Sequence, residues 1–142
     1  MKITAVKSYT VHPGWRKNLI FVKVETDAGI HGWGEAYSQY DRDTAVRAQL
    51  EALGPYMAGR SPFDIKHFTQ FAFDDYAARR GSVELFCAIS GIEQAMWDIV
   101  GKACKQPVYN PFPLQGIGVG NTTSNALSRS DVTIRSLLSS TA

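Results

Sequence analysis

Acid–base, nucleophilic and metal-assisted chemistry each demand particular side chains at particular spacings. The three histidines of this 142-residue chain, His12, His31 and His67, fall on a strand end, a strand and a helix. No two stand at i,i+4 and no Cys-x-x-Cys accompanies them, so they make no metal-ligand pattern and read as surface or half-buried histidines. Asp74 and Asp75 are adjacent, point apart on a helix and read as a solvated face. Glu35 follows Trp33 and Gly34 on a strand and could act as an acid or base, but it lacks a partner base. Nucleophile elbow, Walker loop and zinc spacings are absent, so no catalytic and no metal-ligating residue is assigned.

The cysteines do not supply chemistry either. Cys87 and Cys104 stand on one helix, separated by about 25 Å at a rise of 1.5 Å per residue. A disulfide requires Cα atoms within about 7 Å, so reduced thiols and a cytoplasmic location are expected. On a largely buried helix, Cys87 reads as packing rather than as a nucleophile.

Two stretches carry binding chemistry. One is residues 12–18, with a proline, a glycine, Trp15 and the cations Arg16 and Lys17; the other is residues 37–42, YSQYDR, with Tyr37 and Tyr40. Aromatic rings beside guanidinium and ammonium groups suit an anionic, hydroxyl-rich small molecule. The bland alternative is that Trp15 packs locally and the charges are merely solvated.

The elements that must position these stretches follow from periodicity. Residues 2–11 read as a first strand. Residues 19–27 read as a second, with Ile20, Val22 and Val24 on one face and Lys23 and Glu25 on the other. Asp27-Ala28-Gly29 marks a three-residue hairpin, and residues 30–37 return antiparallel, with Gly32 and Gly34 leaving room for a neighbour. The first binding stretch precedes the second strand and the second follows the third, so the two are expected near each other.

Helices come next. Val46, Leu50, Leu53 and Met57 form a stripe behind a cap at Asp41 or Asp43, with an end near Leu53 because Pro55 follows. Ser61-Pro62-Phe63-Asp64 opens another helix, with the serine as cap, burying Ile65, Phe68, Ala72 and Tyr76. The longest apolar segment, residues 83–105, repeats Ile89, Ile92, Met96, Ile99 and Ala103 at helical steps. Leu85, Phe86 and Val100 widen this stripe, while Glu93, Gln94, Asp98 and Lys102 lie off it. Asp98 and Lys102 form an i,i+4 pair, Gly91 and Gly101 mark close backbone approaches, and Pro107 ends the helix. Strands first and helices after give an α+β fold class: a three-stranded antiparallel sheet followed by a helical bundle.

After residue 110 the composition turns to serine, threonine and glycine, and residues 111–142 read as an irregular, low-complexity tail. Gly116, Gly118 and Gly120 fall short of a phosphate loop because Asn121 stands where the next glycine is needed. A net charge of +2 without a basic run argues against nucleic acid, and no apolar stretch of membrane-spanning length occurs.

The runs LIFVKVETDAGIHGWGEAY and RRGSVELFCAISGIEQAMWDIVGKACKQPVYN resemble the N-terminal capping domain of the mandelate racemase and muconate lactonizing branch of the enolase superfamily. Within that branch they look most like galactonate-dehydratase-type sugar-acid dehydratases. The resemblance covers about residues 1–110. It implies a capping domain followed by a modified (β/α)₈ barrel. In the family that barrel carries three acidic magnesium ligands and the residues that abstract the proton α to a carboxylate.

In the family the cap's loops help choose the substrate, and they match the two stretches above. Trp15, Arg16, Lys17, Tyr37 and Tyr40 are thus the expected substrate-binding residues. A barrel needs on the order of 200 residues, so none is expected within this sequence and its catalytic residues cannot be carried over. The expectation is a truncated cap, inactive alone, with no cofactor of its own, magnesium belonging to the full-length family, and apolar surface left exposed. Its small acid-sugar substrate would bind only with a barrel present. The alternative is an interaction fragment that docks on full-length homologues.

Overall fold

The computed structural model describes residues 1–15, 17–77 and 81–109, without the side chains of residues 40 and 75–77. Strands β1 (Ile3–Val11), β2 (Leu19–Thr26) and β3 (His31–Ala36) form an antiparallel sheet in the order β1-β2-β3. β2 is central, pairing with both neighbours: Ile20, Val22 and Val24 are fully buried on one face, while Phe21, Lys23 and Glu25 share the opposite face. The β2–β3 connection has Gly29 at φ 75°, with its N–H donating to the Thr26 carbonyl, as the hairpin spacing requires.

A single-turn 3₁₀ segment (Tyr40–Arg42) leads into α1 (Asp43–Met57), and α2 (Ile65–Phe71) passes into a π-helical turn (Ala72–Ala77). The longest element, α3 (Val83–Ala103), lies across the apolar face of the sheet. The close approach is set by missing side chains. A Cβ on Gly32 would stand 1.9 Å from the Ala95 carbonyl oxygen, and one on Gly34 would stand 2.1 Å from that of Gly91. The glycines of β3 therefore let the strand lie directly on the helix backbone.

That contact continues through side chains. Gln94, Asp98 and Lys102 recur every four residues on α3 and reach the free edge of β3. Gln94 Oε1 accepts from the Glu35 N–H and its Nε2 donates to the Glu35 carbonyl. Asp98 Oδ2 accepts from the Trp33 N–H, and Lys102 Nζ donates to the His31 carbonyl. The i,i+4 pair between Asp98 and Lys102 forms at 2.7 Å.

Several local expectations are corrected. α1 runs through Pro55 to Met57: the last turn is held by burial of Leu53 and Met57, which outweighs the one backbone bond that proline removes. Neither Asp41 nor Asp43 caps α1. Arg42 occupies the cap position and no side-chain cap bond forms there, because Asp43 turns to partners in the β1–β2 loop. Ser61 does not cap α2. Its hydroxyl accepts from the Phe63 N–H, the segment closes a turn through Asp64 N–H to the Ser61 carbonyl, and the helix opens at Ile65. Tyr76 lies outside the described side chains.

On α3, Phe86 is 44% exposed and Ala103 is half-buried, so neither belongs to the core stripe. Phe86 stands one turn from the N-terminus, ahead of the sheet contact, where its nearest described aromatic is Phe73. The helix stops at Ala103, two residues before the expected end. Lys105 N–H donates to Lys102 O and Gln106 N–H to Gly101 O, a Schellman turn in which Lys105 adopts φ 54°. Gly101 leaves no room for a side chain, since a Cβ there would meet the Gln106 carbonyl oxygen at 2.9 Å.

Candidate functional site

The β1–β2 loop and the segment after β3 leave the same end of the sheet, since Val11 pairs with Leu19 and Ile20 with Ala36. The structure brings them into contact. Lys17 Nζ stands 3.8 Å from the ring centroid of Tyr37, a cation–π pair across the two segments. Trp15 is 67% exposed and Tyr37 53%, so both present apolar surface to solvent, Tyr37 directly against that ammonium group. Arg16 and the Tyr40 side chain lie outside the described residues.

Beneath these residues is a polar network that sequence reasoning missed. Ser38, only 2% exposed, places its hydroxyl 3.2 Å from both the Asn18 carbonyl oxygen and Asp43 Oδ1. Asn18 Nδ2 donates to Asp43 Oδ2, and Asn18 Oδ1 lies 2.8 Å from His12 Nδ1. A carboxylate only accepts, so Asp43 orients the Asn18 amide. The Asn18 oxygen then faces His12, which must donate from Nδ1. Hydrogen bonding from Asn18 holds the Asp43 carboxyl below the usual aspartate range; burial opposes this and Ser38 adds to it. The available signal was the buried position of Ser38, two residues beyond an alternating strand, but no spacing rule pairs it with residues 18 and 43.

Next to this network, Arg42 pairs with Glu84 in the first turn of α3, and Ser82 caps that helix by accepting from the Leu85 N–H at 3.2 Å. The helix-start N–H groups, chiefly its own, together with Arg42 and Ser82 hold the Glu84 carboxyl below its ordinary range. Burial pushes the Cys87 thiol up, so it stays protonated at neutral pH, as expected for packing. The histidines lie on separate elements: His12 against Asn18, His31 edge-on to Trp33 at 6.4 Å, and His67 beside Phe71 at 6.4 Å. Among the described residues no three His, Cys, Asp or Glu side chains converge on a metal-sized site.

A small antiparallel sheet with one face on a long helix and two contacting loops at one end is the architecture of a capping domain. Residues 5–111 match the sequence model of the mandelate racemase / muconate lactonizing enzyme N-terminal domain, and the chain belongs to that family. It is 42% identical over 109 residues to a D-galactonate dehydratase of Xanthomonas campestris pv. campestris (strain B100), covering 77% of this chain and 27% of that protein. A D-galactonate dehydratase of Variovorax paradoxus (strain S110) is 41% identical over the same length. The chain thus spans about a quarter of the length of the curated relatives it matches.

Among solved structures, a mandelate racemase/muconate lactonizing enzyme from Sulfitobacter sp. superposes with a TM-score of 0.68 at 35% identity, covering 82% of this chain and 30% of that one. An enolase from Agrobacterium radiobacter with bound Na and L-malate gives 0.67 at 29% identity, over 77% of this chain and 27% of that one.

Proposed function

We propose that residues 1–110 form the substrate-selecting cap of a magnesium-dependent sugar-acid dehydratase, with residues 111–142 a tail outside the cap. The observation that supports this reading is the Lys17–Tyr37 contact, which joins the two loops at one end of the sheet. Together with Trp15, and with Arg16 and Tyr40 from the same stretches, it offers positive charge, hydroxyl groups and flat apolar surface. Those features suit the carboxylate and the hydroxylated carbons of an aldonic acid. Similarity to D-galactonate dehydratases, and to a structure with bound L-malate, points to the same ligand class.

The cap's part is binding and exclusion of water. Among the described residues no three His, Cys, Asp or Glu side chains converge on a metal-sized site, and in this reading the magnesium would be held by acidic residues of a barrel. Proton abstraction belongs to barrel residues, and this domain alone is inactive. Free thiols at Cys87 and Cys104 support a cytoplasmic location.

Two measurements test the reading. Incubating the purified chain with magnesium and a panel of aldonic acids should give no dehydration, and turnover would overturn the claim of inactivity. Grafting residues 1–110 onto the barrel of a D-galactonate dehydratase should give an active chimera. In it, Lys17→Ala should raise KM for an aldonate by about tenfold, the scale of one charge-assisted hydrogen bond; an unchanged KM would remove Lys17 from the site.

A second reading, docking on full-length homologues, is favoured by exposed apolar side chains at the start of α3. Val83 is 64% exposed, and Phe73 and Phe86 lie 6.4 Å apart between ring centroids. Pull-down of a full-length relative by this chain checks it, and a loss of capture with Phe86→Ser would locate the contact.

A further inference from the structure

We propose that Asn18, Ser38 and Asp43 are positioning residues that clasp the two substrate-facing loops into a single surface. The inference rests on the reading of those loops as the cap's substrate side and extends it to residues that need not touch substrate.

The geometry carries it. Lys17 directly precedes Asn18, and Tyr37 directly precedes Ser38, so each substrate-facing side chain is covalently adjacent to a clasp residue. Asn18 and Ser38 meet through the Asn18 carbonyl and the Ser38 hydroxyl at 3.2 Å, and both converge on the one carboxylate of Asp43. That carboxylate opens the 15-residue helix α1, which is anchored in the core by Val46, Leu50, Leu53 and Met57. The loops are thereby referred to a rigid helix as well as to each other. Lys17 over Tyr37 is the surface consequence. A lysine has four rotatable side-chain bonds and holds one pose over a ring only where the backbone beneath it is fixed. The arrangement also explains why Asp43 leaves α1 without a side-chain cap: its oxygens are already engaged by Asn18 and Ser38.

The network has a useful symmetry. Asn18 gives one donor to Asp43 and one acceptor to His12. Exchanging the two side chains, Asn18→Asp with Asp43→Asn, keeps an amide-to-carboxylate bond between the positions. It also leaves an acceptor for His12 and one for Ser38. Asn18→Asp alone sets two carboxylates face to face, and Asp43→Asn alone leaves one acceptor oxygen where Asn18 and Ser38 had one each.

Backbone order from ¹⁵N relaxation of the full 142-residue chain reads this directly. In the parent protein, amides of residues 12, 14, 15, 17 and 18 and of 37–39 should have order parameters near 0.85, the value of rigid backbone. In Asp43→Ala they should fall below about 0.6, with β2 and α3 unchanged. The exchange pair should restore the parent values. Should Asp43→Ala prevent folding, Asn18→Ala removes the same bond from the loop side and should give the same local loss.

Loops already below about 0.6 in the parent, loops unmoved by both alanine variants, a change spread over the whole sheet, or an exchange pair that does not recover order would each overturn the clasp. No ligand enters the measurement, so its failure leaves the substrate reading standing. Conversely, a cap that binds no aldonate leaves the clasp standing.

Discussion

The carboxylate of Asp98, on the long helix α3, accepts a hydrogen bond from the backbone N–H of Trp33 at 2.8 Å. This is a side chain standing in for a fourth strand. β3 is an edge strand, and its outward N–H and C=O groups would otherwise be a template for another chain. Gln94 and Lys102 complete the substitution because a helix rises about 6 Å in four residues, close to the two-residue repeat of a strand. The same geometry that brings α3 onto the sheet thus closes one of its edges.

Asp98→Ala should consequently do two things. It should lower stability by about 1–2 kcal/mol, the scale of a hydrogen bond to a charged acceptor near solvent. It should also promote self-association, more strongly when combined with Gln94→Ala. Denaturant titration gives the first quantity, and sedimentation velocity over a concentration series gives the second. Asp98→Asn, which keeps the acceptor, should associate no more than the parent.

Two glycine substitutions should move stability in opposite directions. Gly34→Ala places a methyl 2.1 Å from the Gly91 carbonyl oxygen, a backbone atom that cannot swing aside. The cost should exceed about 3 kcal/mol, beyond typical overpacking. Gly54→Ala, inside α1, meets nothing nearer than Val6 Cβ at 4.0 Å and should stabilise by up to about 1 kcal/mol through helix propensity. Urea midpoints of the two variants against the parent decide both.

Lys105 holds a left-handed conformation at the end of α3, where glycine is the usual residue. Lys105→Gly should therefore stabilise the protein by about 1 kcal/mol. Lys105→Ala, which keeps a Cβ in the same strained position, should be close to neutral. Thermal melts at fixed pH and salt separate the two.

Acid should weaken the sheet through Glu25. Hydrogen bonds from Lys7 at 2.7 Å and Lys23 at 2.9 Å bring its carboxyl from 4.5 to about 2. Because the folded value is the lower one, the unfolded chain takes up the proton first. The contribution is complete above pH 4.5, declines as pH falls and is lost by about pH 2. Melting temperature followed through that window should fall less steeply in Glu25→Gln. Added salt should shrink the difference, since all three side chains are partly exposed.

Much of the fold was legible because it rests on short-range regularities. The alternation of Ile20, Val22 and Val24, the turn at Gly29 and the stripe from Ile89 to Ile99 each reflect one element presenting one face. The glycines of β3 announced a close neighbour, and α3 is that neighbour. Family motifs in β2, β3 and α3 could be read for the same reason: those are the segments whose side chains interlock.

What the chain alone did not disclose concerns pairs far apart in sequence. Asp43 looked like a helix cap because capping is a local habit of aspartate. Only the folded chain shows Asn18, 25 residues earlier, occupying its carboxylate. Gln94, Asp98 and Lys102 lay off the apolar stripe, and two of them do form the expected i,i+4 pair; their shared role at the edge of β3 exists only once the helix is docked. Pro55 and Phe86 were misjudged for a related reason. Local rules set what a residue prefers, but long-range packing settles whether a last turn survives and which end of a helix finds cover. Periodicity and turn chemistry determined the elements of this protein; which polar groups face one another was decided by the tertiary structure, because hydrogen-bond partners across loops obey distance in space and not spacing along the chain.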